Sequence, residues 1–474
     1  MDVLHEYGVE FPCGGKGSCG RCRVRLLEGD ISCDDKHLEK LRSLGFEDEW
    51  RLACLSYCDS DLTIEVGQFD TVIQVDETPF EFEAGQGLGI AFDMGTTTLV
   101  GQLLDLESGQ ILAVETALNP QKKYGSDLIS RMEAALAGHG DELVRMIREQ
   151  VKLMVKKLME GRGTKLERMV MVGNTAMHHL FCGHEVKPLA FYPFESPHMD
   201  MMVFSSEELG WDAIQCERVS YYPSIGSFVG SDILAGILAT GMHKKESISV
   251  LVDLGTNGEI VVGNRQGLRC ASTAAGPAFE GARISQGMQA VTGAISSISA
   301  LEKGWQCKVI GNVPSKGICG SGLIDAVAVL LQQGLIGEFG EILSGDDAVA
   351  LDPRVMLTQK DIQEFLLAKA AIAAGIRILL QEMDIAYEQV DEVFVAGGFG
   401  NYINLEHVTG IGMLEFPEDS IRKLGNSALM GAKMFLFNNC KDPDKLLCLT
   451  RHLSLESVPN FQDIFVENLS LGSL

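Results

Sequence analysis

The sequence predicts an α+β protein in two parts. A small thiol-rich β domain spans residues 1–67, a linker spans 68–87, and an internally duplicated domain spans 88–474 with halves of about 88–245 and 246–474. Three observations predict this. A glycine-rich loop near the start carries Cys13, Cys19 and Cys22, two distant strand–turn–strand segments share the phrase Asp-x-Gly-Thr, and each is followed by a later strand ending in glycine.

The totals bound the problem. At 474 residues the chain is too long for one simple core, so two or three domains are expected. A formal net charge of -26 argues against nucleic acid and against an anionic membrane surface, both of which need clustered Lys and Arg. No charged-then-apolar leader is visible in MDVLHEYGVEF, and the most apolar helical stretch, FLLAKAAIAAGIRILL, is interrupted by Lys369 and Arg377. A cytoplasmic chain is therefore expected, its 13 cysteines being reduced thiols or metal ligands.

The phrase PCGGKGSCGRC sets Cys13, Cys19 and Cys22 at C-x5-C-x2-C, with Cys54 following in RLACLSYC. Gly14, Gly15, Gly17 and Gly20 permit the positive φ values needed to wrap backbone N–H groups around a small anionic cluster. Three thiolates on one loop and a fourth far off is a two-iron, two-sulfide arrangement, and four thiolates also suit zinc. The G-x-G-x-x-G within the loop lacks the flanking strand and helix of a dinucleotide site, and the pair Cys19 and Cys22 lacks a thioredoxin-like βαβ context. Cys33 and Cys58 are left as spare thiols, Cys58 close enough to Cys54 to compete as ligand.

This segment resembles the [2Fe–2S] ferredoxin domain, in its adrenodoxin-like spacing, in Arg51-Leu52-Ala53 before Cys54 and in the strand-like LTIEV at 62–66. The resemblance implies a β-grasp fold with the cluster on Cys13, Cys19, Cys22 and Cys54. Such domains open with a β-hairpin, whereas only twelve residues precede Cys13, so a late start or an abbreviated domain is expected.

Beyond the acidic stretch QFDTVIQVDETPFEFEAGQ, two segments repeat one idea. GIAFDMGTTTLVGQLLDLESGQILAV and VLVDLGTNGEIVVGNRQGLRCAS are each apolar runs broken at hairpin spacing, hence antiparallel meanders. Val170–Thr175 and Val393–Gly400 then lead from apolar strands through glycine into helices, which suggests internal duplication. A strand ending in Asp-x-Gly-Thr brings a carboxylate and a tight turn to one point. Small residues admit phosphate oxygens to backbone N–H groups and hydroxyls, while the carboxylate holds Mg²⁺ through water. No Walker A motif occurs.

This set resembles the ASKHA superfamily of actin, Hsp70 chaperones and sugar and acetate kinases, and implies a ribonuclease-H-like ATPase. Asp93, Gly95, Thr96 and Thr97 match its first phosphate motif, and Asp253, Gly255, Thr256 and Asn257 the second. Gly397 and Gly398, within Val395 to Gly400, match the adenosine motif, and Gly317 to Leu323 the helix that connects the two halves. ATP and Mg²⁺ are the implied ligands, with Asp93 and Asp253 in the catalytic roles.

Across the whole chain the pairing resembles the reductive activators of corrinoid-dependent enzymes. Asn119-Pro120-Gln121, Gly173 to His179, Gly230-Ser231-Asp232 and Ala274 to Gly281 are phrases of that kind. The resemblance implies ATP-dependent one-electron reduction of Co(II) to Co(I) on a corrinoid protein of a methyltransferase system. It further implies a low-potential donor of the ferredoxin or flavodoxin type, and dimerisation through the ATPase part. Longer members carry an extra domain between ferredoxin and ATPase, where this chain has only its short linker. Two other readings are a small-molecule kinase with a redox-sensing domain and a nucleotide-switched scaffold. Activators of 2-hydroxyacyl-CoA dehydratases use a [4Fe–4S] cluster at a subunit interface, which the loop here argues against. His178 and His179, opening a helix, are expected to be structural and not cobalt ligands. Cys319 is expected to be a packing residue, Leu366 to Leu380 core, and the loop 272–281 a contact for partner or nucleotide.

Overall fold

The structure is a computed structural model, and it describes residues 23–29, 31, 33, 37–38, 41–42, 50–56, 62–66, 82–125, 127–162, 165–212, 214–255, 257–281, 283–398, 400–438 and 442–472. Cys13, Cys19, Cys22, Cys58, Thr256 and most of the expected linker lie outside the described residues. The expected α+β architecture is present.

The N-terminal part contains an antiparallel sheet in the order β2-β1-β3, formed by β1 (Arg23–Glu28), β2 (Trp50–Leu52) and β3 (Thr63–Val66). Val24, Leu41, Leu52 and Ala53 make its small core, with Cys33 and Cys54 packed against it. The strand expected at LTIEV is β3.

In the first half, β4 (Leu88–Met94), β5 (Thr98–Asp105) and β6 (Ile111–Leu118) form the expected meander. β7 (Leu166–Gly173) adds parallel to β4, β9 (Val219–Tyr221) parallel to β7, and β8 (Met202–Phe204) closes the edge, giving the order β6-β5-β4-β7-β9-β8. The second half repeats the plan with β10 (Ile248–Leu254), β11 (Gly258–Asn264), β12 (Gly267–Thr273), β18 (Val390–Ala396) and β19 (Ile421–Gly425) in the order β19-β18-β10-β11-β12, and β20 (Thr450–His452) beside β12. Between β12 and β18 lie β13 (Ala294–Ala300), β14 (Trp305–Val309), β15 (Gly317–Ile318) and the hairpin β16 (Ala348–Ala350)–β17 (Met356–Thr358). The expected duplication is thus one strand order used twice.

The helices are α1 (Leu128–Ala134), α2 (Gly140–Leu158), α3 (Thr175–Cys182), α4 (Lys187–Ala190), α5 (Ser231–Thr240), α6 (Gly320–Gln332), α7 (Gln359–Glu382), α8 (Leu405–Gly410), α9 (Ser427–Leu436), α10 (Pro443–Leu449) and α11 (Phe461–Glu467). Strand alternation assigns each side chain to a layer. Ile90, Phe92 and Met94 face outward onto α2, whose Leu143, Ile147, Val151, Met154 and Leu158 recur at helical spacing. Ala91 faces inward. Likewise Val250, Val252 and Leu254 pack with α7, while Leu251 faces inward. Strands buried on both faces read as continuous apolar runs, as these do. The α7 stretch Leu366–Leu380 is core as expected. Its buried Lys369 is accommodated because the ammonium donates to the carbonyls of Ser470 at 2.8 Å and Asn468 at 3.2 Å, tying down the C-terminal segment. Among the described residues no helix is long and apolar enough to cross a membrane.

Between the two sheets, α5 and α9 cross within one core that takes side chains from both halves. A Cβ at Gly431 of α9 would collide with the Ala235 carbonyl of α5, so glycine sets how closely the helices approach. This corrects the expectation for Gly317–Leu323. That segment starts α6, where Gly320 and Gly322 sit against the carbonyls of Phe279 and Ile295 inside the second half, and the halves are joined instead by α5 and α9. Gly431→Val is expected to lower stability by roughly 1–3 kcal/mol through overpacking, read from denaturant melts of the full chain.

Candidate nucleotide site between the two halves

Both meanders deliver a carboxylate to the cleft. Asp93 is the penultimate residue of β4, and the chain must reverse at once into β5. At Gly95 a Cβ would collide with the Thr98 carbonyl, so only glycine closes this turn. Thr96 and Thr97 then present hydroxyls at the cavity wall. Asn119 holds the loop from behind, its side-chain amide donating to the Gly95 carbonyl at 3.1 Å and its backbone N–H to the Thr97 carbonyl at 2.9 Å. Asn174 donates to the Thr96 hydroxyl at 3.0 Å while its own Oδ1 caps α3 through the Met177 N–H. In the second half the Gly255 N–H bonds the Asn257 carbonyl at 3.0 Å. Gly397 has φ +102° and no room for a Cβ beside the Leu254 carbonyl, which brings the end of β18 close to the Asp253 turn.

These elements enclose a cavity of about 510 Å³ between the halves. Asp93, Gly95, Thr96, Thr97, Asp253, Gly255, Asn257, Gly397 and Gly398, all selected from sequence, line it together. Cys319 lines it as well, at the start of α6. So do Asp232, Glu259, Asn174 and Asn426, which the sequence reading had not placed in the site. Asp232 had a signal: Gly230-Ser231-Asp232 at a helix start puts a carboxylate in the first turn, and its Oδ1 accepts the Ile233 N–H at 2.9 Å. Glu259 and Asn426 carried none, because their position depends on how the halves meet.

The electrostatics follow from crowding. Burial raises the Asp93 carboxyl to about 6, opposed by a hydrogen bond from Asn426 at 2.8 Å. Burial and then the neighbouring Asp93 charge raise Asp253 to about 7. Burial and then the Asp253 charge raise Asp232 to about 7, and Glu259 is raised further by burial and both aspartates. Four crowded carboxylates facing one cavity, Glu259 buried and the other three half-buried, suit a divalent cation. Among the described residues no three such side chains converge on one point, so the ion would take its remaining ligands from water and phosphate, as Mg²⁺ does.

His178 is fully buried and pushed down to about 3 by burial, and His179 bonds the Thr175 carbonyl at 2.8 Å and the Ser196 hydroxyl at 2.7 Å. Of the four thiols selected as cluster ligands, Cys54 is described. It lies half-buried in a short 3₁₀ turn directly after β2, at the edge of the small core. A thiol at a strand end, with three more on a glycine-rich loop, is a donor set that fits an iron–sulfur cluster.

Comparison with known proteins places the whole arrangement. Residues 1–59 match the model of a 2Fe–2S iron–sulfur cluster binding domain, 88–245 that of the RACo middle region, and 247–473 that of the C-terminal domain of RACo, the ASKHA domain. The corrinoid activation enzyme RamQ of Eubacterium limosum is 33% identical over 81% of this chain and 70% of its own length. The chain belongs to the RACo family. A [Co(II) methylated amine-specific corrinoid protein] reductase of Methanosarcina barkeri is 27% identical to this RACo-family chain, over 81% of the chain and 76% of its own length. The solved reductive activator for corrinoid, iron–sulfur protein superposes with a TM-score of 0.73 at 27% identity, covering 99% of this chain and 95% of that one.

The raised carboxyls set a pH dependence. Their folded pKa values lie above the unfolded value of 3.8, so the folded RACo-family protein holds more protons than the unfolded chain between about pH 4 and pH 7. Stability from these groups is present below that window and lost as pH rises through it. A cation that binds the ionised forms reverses the loss. Mg²⁺ with a non-hydrolysable ATP analogue is therefore expected to raise Tm more at about pH 8 than at about pH 5.5, by differential scanning fluorimetry. Equal shifts at both pH values would contradict it.

Proposed function

We propose that this protein couples ATP hydrolysis to the one-electron reduction of Co(II) to Co(I) on a corrinoid protein. The observation that carries the reading is the union, on one RACo-family chain, of an iron–sulfur segment with a cavity in which Asp93 and Asp253 from the two halves face each other. The relatives named above as corrinoid activation enzyme and corrinoid protein reductase support the substrate class.

Cys13, Cys19, Cys22 and Cys54 hold the [2Fe–2S] cluster. When bound, the cluster supplies the single electron that takes Co(II) to Co(I). Gly95 to Thr97 and Gly255 to Asn257, Thr256 included, take the phosphates, and Gly397 and Gly398 the adenosine. Asp93 and Asp253 hold Mg²⁺. Asp232, a carboxylate whose burial brings its pKa near working pH, takes the proton from the water that attacks the terminal phosphate. Because the phosphate turns belong to opposite halves, nucleotide binds both halves at once and favours their closure. That movement changes the face offered to the corrinoid protein. The electron enters from a low-potential ferredoxin or flavodoxin-type donor, in the cytoplasm.

Two outcomes test the reading. In anaerobic optical assays with reconstituted, pre-reduced protein and a Co(II) corrinoid protein, Co(I) absorbance is expected with ATP and not with a non-hydrolysable analogue. Its appearance without nucleotide would refute the coupling. Asp232→Asn is expected to slow ATP hydrolysis by roughly 10²–10⁴-fold while leaving nucleotide binding within a few-fold, checked by phosphate release against calorimetric titration.

A further inference from the structure

We propose that Asn426 is a positioning residue: its carboxamide, spanning the cleft, fixes the Asp93 carboxylate for the Mg²⁺–nucleotide and latches the two halves together. The inference rests on the reading of the cavity as a Mg²⁺–nucleotide site.

Both ends of this carboxamide are committed. Its Oδ1 accepts the Leu429 N–H at 2.8 Å, which makes Asn426 the N-cap of α9. Its Nδ2 donates to Asp93 Oδ2 at 2.8 Å. With the oxygen engaged by the helix, only the NH₂ group can face the carboxylate, so the cap determines the amide's orientation. Asp93 belongs to the first half and Asn426 to the second, 333 positions apart. The bond therefore exists only when the halves are as close as they are here.

The duplication supplies an internal comparison. The residue corresponding to Asn426 at the start of α5 is Gly230, where a Cβ would collide with the Gly173 carbonyl. No side chain fits there, so the latch is built once. On the opposite carboxylate, Asp253 Oδ2 accepts the Ser427 hydroxyl at a longer 3.4 Å. Holding Oδ2 of Asp93 leaves Oδ1 for the hydrated ion. Residues that orient a metal-binding carboxylate typically account for about 10–100-fold in metal affinity or activity.

A purely structural role as helix cap is separable from this. Serine is an equally good N-cap but lacks the reach, and glycine, the first half's own residue at this position, caps within a few tenths of a kcal/mol. Full-length Asn426→Ser and Asn426→Gly are to be compared with the parent by Mn²⁺ electron paramagnetic resonance in the presence of a non-hydrolysable ATP analogue, and by thermal melts. The expected result is a near-native Tm with Mn²⁺ affinity weakened roughly 10–100-fold. The Mg²⁺ concentration for half-maximal ATPase should rise in parallel. Native Mn²⁺ affinity in a folded variant overturns the proposal, as does a loss of affinity that only tracks a fall in Tm in both variants. Asp93→Asn distinguishes the two levels. If it too leaves Mn²⁺ binding unchanged, the reading of the cavity fails; if it abolishes binding while both Asn426 variants bind normally, only the latch fails.

Discussion

Four carboxylates crowded together between two halves of one chain are the constraint on which this structure turns. Asp93, Asp232, Asp253 and Glu259 crowd one cleft, where desolvation raises every one of them, and ionising all four together is costly without a cation. The fold tolerates them because the two sheets and the crossing helices supply apolar cores on every other side. The charge is thus confined to the one place where a ligand can offset it. Empty, the cleft is electrostatically costly; loaded, it is compensated. A ligand shifts a conformational equilibrium only by binding one state better than the other, and compensating charges from both halves is such a difference.

How much of this was legible from sequence depends on how local each feature is. The first Asp-x-Gly-Thr turn was readable because the steric demand that selects glycine at 95 acts over four residues, between Gly95 and the Thr98 carbonyl, and the second because it repeats the phrase. The meanders and the duplicated strand order followed from period-2 patterning and turn chemistry, again short-range. The connecting helices were misplaced. Gly320-Ser321-Gly322 at the start of α6 and the segment holding Gly431 carry the same signal, small residues in a helix. What differs is the partner each glycine approaches: Gly320 meets the Phe279 carbonyl of its own half, and Gly431 the Ala235 carbonyl across the interface. Sequence states that something comes close, and only the packed fold states what.

The thiol part shows the other limit. Cys54 and Cys33 pack against the same small core, and nothing in residue type separates a ligand from a spare thiol. Spacing from the loop cysteines supported Cys54, and the match of residues 1–59 to an iron–sulfur domain agrees with a cluster there. The last part of the stretch read as linker is not free chain. Gly85 donates its N–H to the Leu106 carbonyl at 2.7 Å, and the Phe82 ring packs 4.6 Å from that of Phe437.

That contact joins the two parts of the argument. Phe437 directly follows α9, and Asn426 directly precedes it. Ten helical residues span about 15 Å. One end of α9 therefore bears on the carboxylates of the cleft, and the other on the segment that leads back to the thiol domain. The two halves share a backbone plan, but their helices do not share roles. α5 opens on Gly230 and carries the carboxylate of Asp232; α9 opens on an amide that grips the opposite half and ends against the tether. An ATP site built from identical halves would have no direction. Here the duplicated framework gives two glycine turns facing one cavity, and the unequal residues at the two helix starts put a carboxylate, Asp232, on one side and an amide, Asn426, on the other.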